Sequence, residues 1–339
     1  MSQTSATNAA RVPTAPPGLS IRDFIGSQAD YAAAVDVCNA VFPEYPESVE
    51  EWKEEDEKRP AHLQRRRWLA EINGQAVGYA SYGQSEWMDH PGVFTFFAAV
   101  LPERQGQGIG RALYETVMAA LAPLDPRRVR ARCRSDYARS MRFLAGRGFV
   151  EDMRDWESRL NVPGFNPTPF AGHIERVTAS GITIATLRDL IAGDPEHRRK
   201  LYELDVSVTR DVPSPEPLTA PSPENYERRV FESRDLLPEG YFVALDGQRY
   251  VGLSALWKSD EEPDTLYVGL TGVRREYRRR GIALALKLRT IEYARSHGIR
   301  TLKTWNEANN RAMLSINEAL GFVKQPAWVS LVKRLRSEG

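Results

Sequence analysis

The sequence is short of several things that would narrow its role. It has two cysteines in 339 residues, Cys38 and Cys133, too few for a disulfide framework and without the spacing of a metal site, which points to a reducing compartment. The five histidines are scattered, so no metal is expected. No apolar run approaches the ~18 residues of a membrane span. Neither sign of charge dominates: 46 Lys and Arg stand against 45 Asp and Glu, a net charge of +1. That balance argues against a nucleic-acid binder, and the arginine runs at 65–67 and 127–134 do not change it. Residues 1–18 have neither the charged start nor the apolar core of a secretory leader. They read as a disordered tail on a cytoplasmic protein.

What the chain has is a repeat. Gln105-Gly106-Gln107-Gly108-Ile109-Gly110 opens one helical pattern and Arg278-Arg279-Arg280-Gly281-Ile282-Ala283 opens another, with Gly108 and Gly281 173 residues apart. Each hexad follows a strand-like run ending in valine, Val100 or Val273, and each is followed by a Gly-Phe pair, Gly148-Phe149 or Gly321-Phe322. Upstream, Asn73-Gly74 and Asp246-Gly247 sit between apolar runs at the same offset, a hairpin signal that demands positive φ at the turn's centre. A period this long means two domains rather than a solenoid.

The length suits two domains of ordinary size. The expected boundaries are a tail over 1–18, a first domain over 19–162, a linker over 163–180 rich in proline and glycine, and a second domain over 181–339. Each half reads as strand, helix, hairpin, strand, glycine loop, helix, strand, helix, strand. In the first half these are 21–24, 32–42, 68–81, 92–100, 111–121, 129–133, 138–146 and 156–160. The second half repeats them at 182–187, 201–208, 241–257, 266–273, 284–296, 301–305, 310–320 and 328–335. That order predicts an α+β fold with helices on both faces of a sheet. Proline-rich loops at 42–47 and 211–223 are candidates for facing a substrate or simply for surface connections.

Glycines let a backbone approach a ligand closely, and the free amides of a helix start favour negative charge by about 0.3–1 kcal/mol, so each loop suits a phosphate. Arg111, Arg278, Arg279 and Arg280 add cationic side chains there.

On these residues the chain resembles the GNAT superfamily of N-acetyltransferases. The family's Arg/Gln-x-x-Gly-x-Gly/Ala pattern is met by Gln105, Gly108 and Gly110, and again by Arg278, Gly281 and Ala283. The likeness runs from Leu19 to about Leu335 and takes in Asn309-Asn310, Met313, Asn317 and Leu320-Gly321-Phe322. It implies two tandem domains, each with a mixed, mostly antiparallel sheet flanked by helices and a splayed strand pair that admits acetyl-CoA. It further implies that both hexads and Arg111 hold the pyrophosphate, and that backbone groups near Ala98 to Val100 and Thr271 to Val273 hold the pantetheine arm. Asn306, Asn310 and Asn317 become cofactor contacts, or helix caps and surface residues.

The reaction so implied is direct attack of a primary amine on the thioester. The acceptor is a small molecule or a peptide, with no nucleic acid, membrane or metal involved, and the protein is a monomer or homodimer. A lysine-like amine must first lose its proton, a cost of about 4–5 kcal/mol at neutral pH. The family often keeps a tyrosine, as acid for the leaving thiolate, four residues before the glycine of Gly-Phe. Here that position is Leu144 or Asn317. Asp211, Glu216, Tyr267 and Asn317 are therefore the catalytic candidates of the second half, favoured as the working one because it keeps the polar positions. Glu44, Glu47 and His90 are weaker candidates. A non-catalytic acetyl-CoA-binding sensor or scaffold is the alternative from another class.

Overall fold

A computed structural model describes residues 15–86, 88 and 90–336. The tail expected over 1–18 falls outside the described residues up to residue 14. The chain makes two compact units: one holds the residues up to Glu57, Gln64–Gln84 and Phe94–Arg127, the other Lys58–Leu63, Ser85–Val93 and everything from Arg128 on.

The first unit contains β1 (Leu19–Asp23), α1 (Gln28–Val41), α2 (Val49–Lys58), β2 (Arg65–Ile72), β3 (Gln75–Gly83), β4 (Val93–Val100) and α3 (Ile109–Leu121). Its four strands pair antiparallel in chain order. Strand side chains alternate between faces: Leu69 and Tyr79 pack with Ala34, Val37 and Cys38 of α1, whereas Ala70 and Gly78 turn to Leu113 of α3. The hairpin turn is Asn73-Gly74, with φ of 52° and 77°, the doubly positive geometry expected of Asn-Gly.

The second unit contains β5 (Arg128–Arg134), α4 (Ala138–Ala145), β6 (Val150–Asn161), α5 (His173–Ala179), β7 (Ile182–Thr186), α6 (Leu187–Gly193), α7 (His197–Thr209), α8 (Pro223–Val230) and β8 (Leu236–Asp246). It continues with β9 (Arg249–Trp257), β10 (Thr265–Val273), α9 (Ile282–Ser296), β11 (Thr301–Glu307), α10 (Arg311–Ala319), β12 (Val323–Lys324) and β13 (Trp328–Arg334). The sheet order is β5-β13-β6-β11-β10-β9-β8-β7, with β12 on β6. All its pairs are antiparallel except β10 with β11. The expected mixed, mostly antiparallel sheet with helices on both faces is thus present: one core cluster gathers α5 and α9, another α6 and α7.

The compact units cut across the sequence repeat, and β13 is the reason. It pairs with β5 along one edge and with the first half of β6 along the other, from Trp328↔Asp155 to Val332↔Val150, while the rest of β6 pairs with β11. The twelve-residue β6 therefore serves two neighbourhoods of one sheet. The stretch 163–180, read as a linker, carries α5, whose Ile174 and Val177 are buried in the α9 cluster. The second hairpin differs from the first. Its central residues are Gly247-Gln248, and only Gly247 has positive φ, so one glycine suffices there.

Candidate functional site

Both glycine loops have the same local build. Each leaves its valine-ended strand through a short 3-10 turn, Pro102–Arg104 or Arg275–Tyr277. Two left-handed residues follow: Gly106 and Gly108 at φ 83° and 88°, and Arg279 and Gly281 at 61° and 78°. Gly108 and Gly281 are the N-caps of α3 and α9, and neither helix start has a side-chain cap. Its first amides are therefore left to a ligand or to water. In each copy the first residue of the hexad ties the loop to the strand it has just left, Gln105 Nε2 donating to the Val100 carbonyl at 3.1 Å and Arg278 Nε to the Val273 carbonyl at 3.0 Å. Arg279 holds a conformation that costs a non-glycine side chain about 1–2 kcal/mol.

Other loop residues play local parts. Gln107 donates to the Glu103 carbonyl at 3.2 Å, and Arg111 stands 3.8 Å from Glu115 one turn on. Ile109 and Ile282 are buried, fixing the helix starts to their cores, and Gly110 and Ala283 follow them half-buried. Arg280 reaches the Ser180 carbonyl at 3.3 Å and lies over the Tyr277 ring, whereas Arg279 makes no ion pair among the described residues. His173 Nε2 lies 3.0 Å from the Gly281 carbonyl oxygen, and a Cβ on Gly281 would sit 2.9 Å from its ring.

Beside the second loop the sheet opens. Strands β10 and β11 pair only at Thr265↔Thr301, Leu266↔Leu302 and Tyr267↔Lys303, after which β10 runs on to Val273 and β11 to Glu307 without further pairing between them. On its other side β10 bulges away from β9 between Val268 and Thr271, where the Thr271 hydroxyl meets that of buried Ser254 at 2.8 Å. Gly269 lies in the bulge, and a Cβ there would come within 2.5 Å of Trp257 Nε1. Only glycine fits. In the first unit, Ala98 and Val100 pair with Ala80 and Gly78 of β3.

Polar residues mark the opening. Tyr267, the last residue of β10 paired with β11, donates its hydroxyl to Glu262 and stacks on Trp305 with centroids 5.7 Å apart. Buried Lys303 donates to both Glu262 oxygens, at 2.7 and 2.9 Å. Nothing in the spacing of Glu262 or Lys303 singled them out, because the register that joins them is visible only in the sheet. Asn317 of α10 donates to Asn306 Oδ1 of β11 at 2.6 Å. Asn310 instead accepts from the Met313 amide at 3.2 Å and caps α10, the helix-capping alternative.

The carboxylates proposed from the proline-rich loop are engaged elsewhere. Asp211 is clasped by Arg275, with Nε at 2.9 and 3.0 Å, and by Arg278. The Arg275 hydrogen bonds, reinforced by Arg278, hold its carboxyl down to about 2, which makes it a poor proton acceptor. Glu216 is buried with Arg128 and Arg130 at 3.0 Å each. In both geometries the carboxylate is held by arginines and ties the loop down. Among the described residues no group of three or more metal-ligating side chains comes together, and no helix is long and apolar enough to cross a membrane.

The family model described as Acetyltransferase (GNAT) family matches residues 34–149 and again 205–322. The chain belongs to the GNAT acetyltransferase family. This acyltransferase is 27% identical over 281 residues to a mycothiol acetyltransferase of Nocardia farcinica, covering 78% of this chain and 81% of that one. It is 32% identical over 90 residues to N-alpha-acetyltransferase 30 of Schizosaccharomyces pombe, covering 26% of this chain and 59% of the relative. Among solved structures, a tandem GNAT protein from the clavulanic acid biosynthesis pathway superposes with a TM-score of 0.73 at 18% identity, covering 95% of this chain and all of that one. The match along most of the mycothiol acetyltransferase and the superposition on the tandem GNAT structure support the tandem architecture read from the repeat, and the GNAT acetyltransferase has its two family segments in the two repeat halves.

Proposed function

We propose that this protein transfers the acetyl group of acetyl-CoA to the primary amine of a small-molecule or peptide acceptor, by direct attack on the thioester, and that the second half is the working site. The observation that carries this reading is the coincidence of an uncapped helix start at Gly281 with the parting of β10 and β11 beside it. The helix start suits a pyrophosphate, and the gap suits a slender chain carrying the acyl group. Hexad residues 105–110 and 278–283 would hold the phosphates through their amides, with Arg111, Arg278 and Arg279 adding charge. Backbone groups at Thr271 to Val273 would line the arm and polarise the thioester carbonyl.

Calorimetric titration with acetyl-CoA tests it. One or two sites are expected, with the second-half site weakened at least tenfold by Arg279→Glu, a change at an exposed position outside the core. Free thiol should then appear when acetyl-CoA is supplied with a panel of primary amines. Absence of binding at millimolar acetyl-CoA would overturn the proposal.

A further inference from the structure

The second half holds a buried charge that the reading above leaves unused. Lys287 of α9 is 1% exposed, and among the described residues its ammonium makes neither an ion pair nor a hydrogen bond. It stands 5.2 Å from the centroid of the Phe322 ring. The Phe322 amide closes α10 by donating to the Asn317 carbonyl at 3.0 Å, which places Lys287 at the end of α10 that carries Asn317. Asn317 is equally buried, and its Oδ1 has no partner among the described residues.

A buried cation without a counter-charge and a buried carbonyl without a donor are each costly, and such pairs persist where a ligand satisfies them. The charged groups nearby are already committed: Lys303 to Glu262, Glu307 to Asn309, Glu318 to Arg311 and Lys324, Arg289 to Glu292. His173, from α5 packed on α9, meets the Gly281 carbonyl. Burial alone therefore lowers the Lys287 amine, to about 7. The positions 173 residues earlier, equivalent to Lys287, Asn306 and Asn317, hold Tyr114, Cys133 and Leu144. The polar lining belongs to the second half alone.

We propose that the Lys287 ammonium is the counter-charge to the sulfur that leaves during acetyl transfer, and that Asn317 and Asn306 complete the polar lining around that sulfur. This rests on acetyl-CoA being the donor. Phosphates at the start of α9 send the acyl end into the gap between β10 and β11, and Lys287 lies about 8 Å along the helix axis from Ile282. The bond forming is from the acceptor's amine nitrogen to the acetyl carbon. The bond breaking is carbon to sulfur, with its electron pair staying on sulfur. The Lys287 ammonium meets the negative charge that develops on sulfur and holds coenzyme A as its thiolate until release. The new amide nitrogen releases its extra proton to water, and the thiolate takes one from solvent as coenzyme A leaves.

The test reads the thiol without turnover. Free coenzyme A bound to the wild-type protein is titrated by the ultraviolet absorption of its thiolate, alongside Lys287→Met and Lys287→Gln variants whose folding is checked by circular dichroism. In the wild type the bound thiol should titrate at least about one unit below free coenzyme A, as beside a cation. In the variants it should return to the free value or rise. With acetyl-CoA and an acceptor, Lys287→Met should lower kcat about a hundredfold with little change in KM for the donor. An unshifted or raised thiol pKa in the wild type overturns the proposal even if no variant folds. Failure of the wild type to bind coenzyme A overturns the acetyl-CoA reading beneath it.

Discussion

Arg278 and Val273 are joined by one hydrogen bond, guanidinium Nε to carbonyl oxygen at 3.0 Å, and the same joint is made 173 residues earlier by Gln105 and Val100. Two different side chains thus fasten the same backbone. Arg278→Gln should keep the joint, lose the Asp211 contact, and weaken acetyl-CoA binding by tenfold or less. Arg278→Ala should free the loop and weaken binding further. Calorimetry that ranked the two variants equally would remove the joint from the account of the loop.

Asp211→Asn tests whether that carboxylate is a base or an anchor. As an anchor its loss should leave turnover within about tenfold and leave the pH-rate profile in place. Its effect should appear instead in acid stability. Because the folded carboxyl is held at about 2 against an ordinary value near 4, it stabilises the fold above pH ~4, and that stability drains away as pH falls from ~4 towards ~2. Thermal melts across this window should show the wild type losing stability faster than the variant.

For Lys287 stability also rises with pH, but because the charged form is the costly one. Its folded amine is lowered from 10.5 to about 7, so the unfolded chain binds more protons between those values, and wild-type stability rises with pH by up to about 1.4 kcal/mol per unit. Without ligand, Lys287→Met should melt several degrees higher at pH 7, and the difference should shrink towards pH 10. Equal melting temperatures at both pH values would mean that the ammonium is not desolvated.

Gly269→Ala should cost about 1–3 kcal/mol, because its Cβ would meet Trp257 Nε1 at 2.5 Å. Combining it with Trp257→Leu should cost less than the sum of the single changes. Chemical denaturation of the four proteins in the cycle measures the coupling; additive effects would dissolve the argument.

The two loops were legible in the sequence because left-handed backbone needs glycine at nearly every such position, and Gly106, Gly108 and Gly281 declare it. The Gly-Phe pairs were legible for a similar reason: Gly148 and Gly321 have positive φ, and Phe149 and Phe322 bond back to Leu144 and Asn317 to close their helices. Lys287 was hidden, since a lysine in a helical pattern ordinarily carries its charge to water, and only packing reveals that this one cannot. Helix α5 was masked by the surrounding proline and glycine. The partners of β13 were beyond pattern reading altogether, because an alternating strand specifies a face and says nothing about which edges it will fill.

That last strand also sets a timetable for synthesis. Strands β5 and β6 receive β13 between them, yet about 170 residues separate Asn161 from Trp328. At about 5–20 residues per second a ribosome needs on the order of ten seconds or more to make that stretch. During that interval both strands wait with open edges for a segment that does not yet exist. The sheet can therefore close only once Trp328–Arg334 has been made, so the last strand synthesised completes a seam begun by β5 and β6.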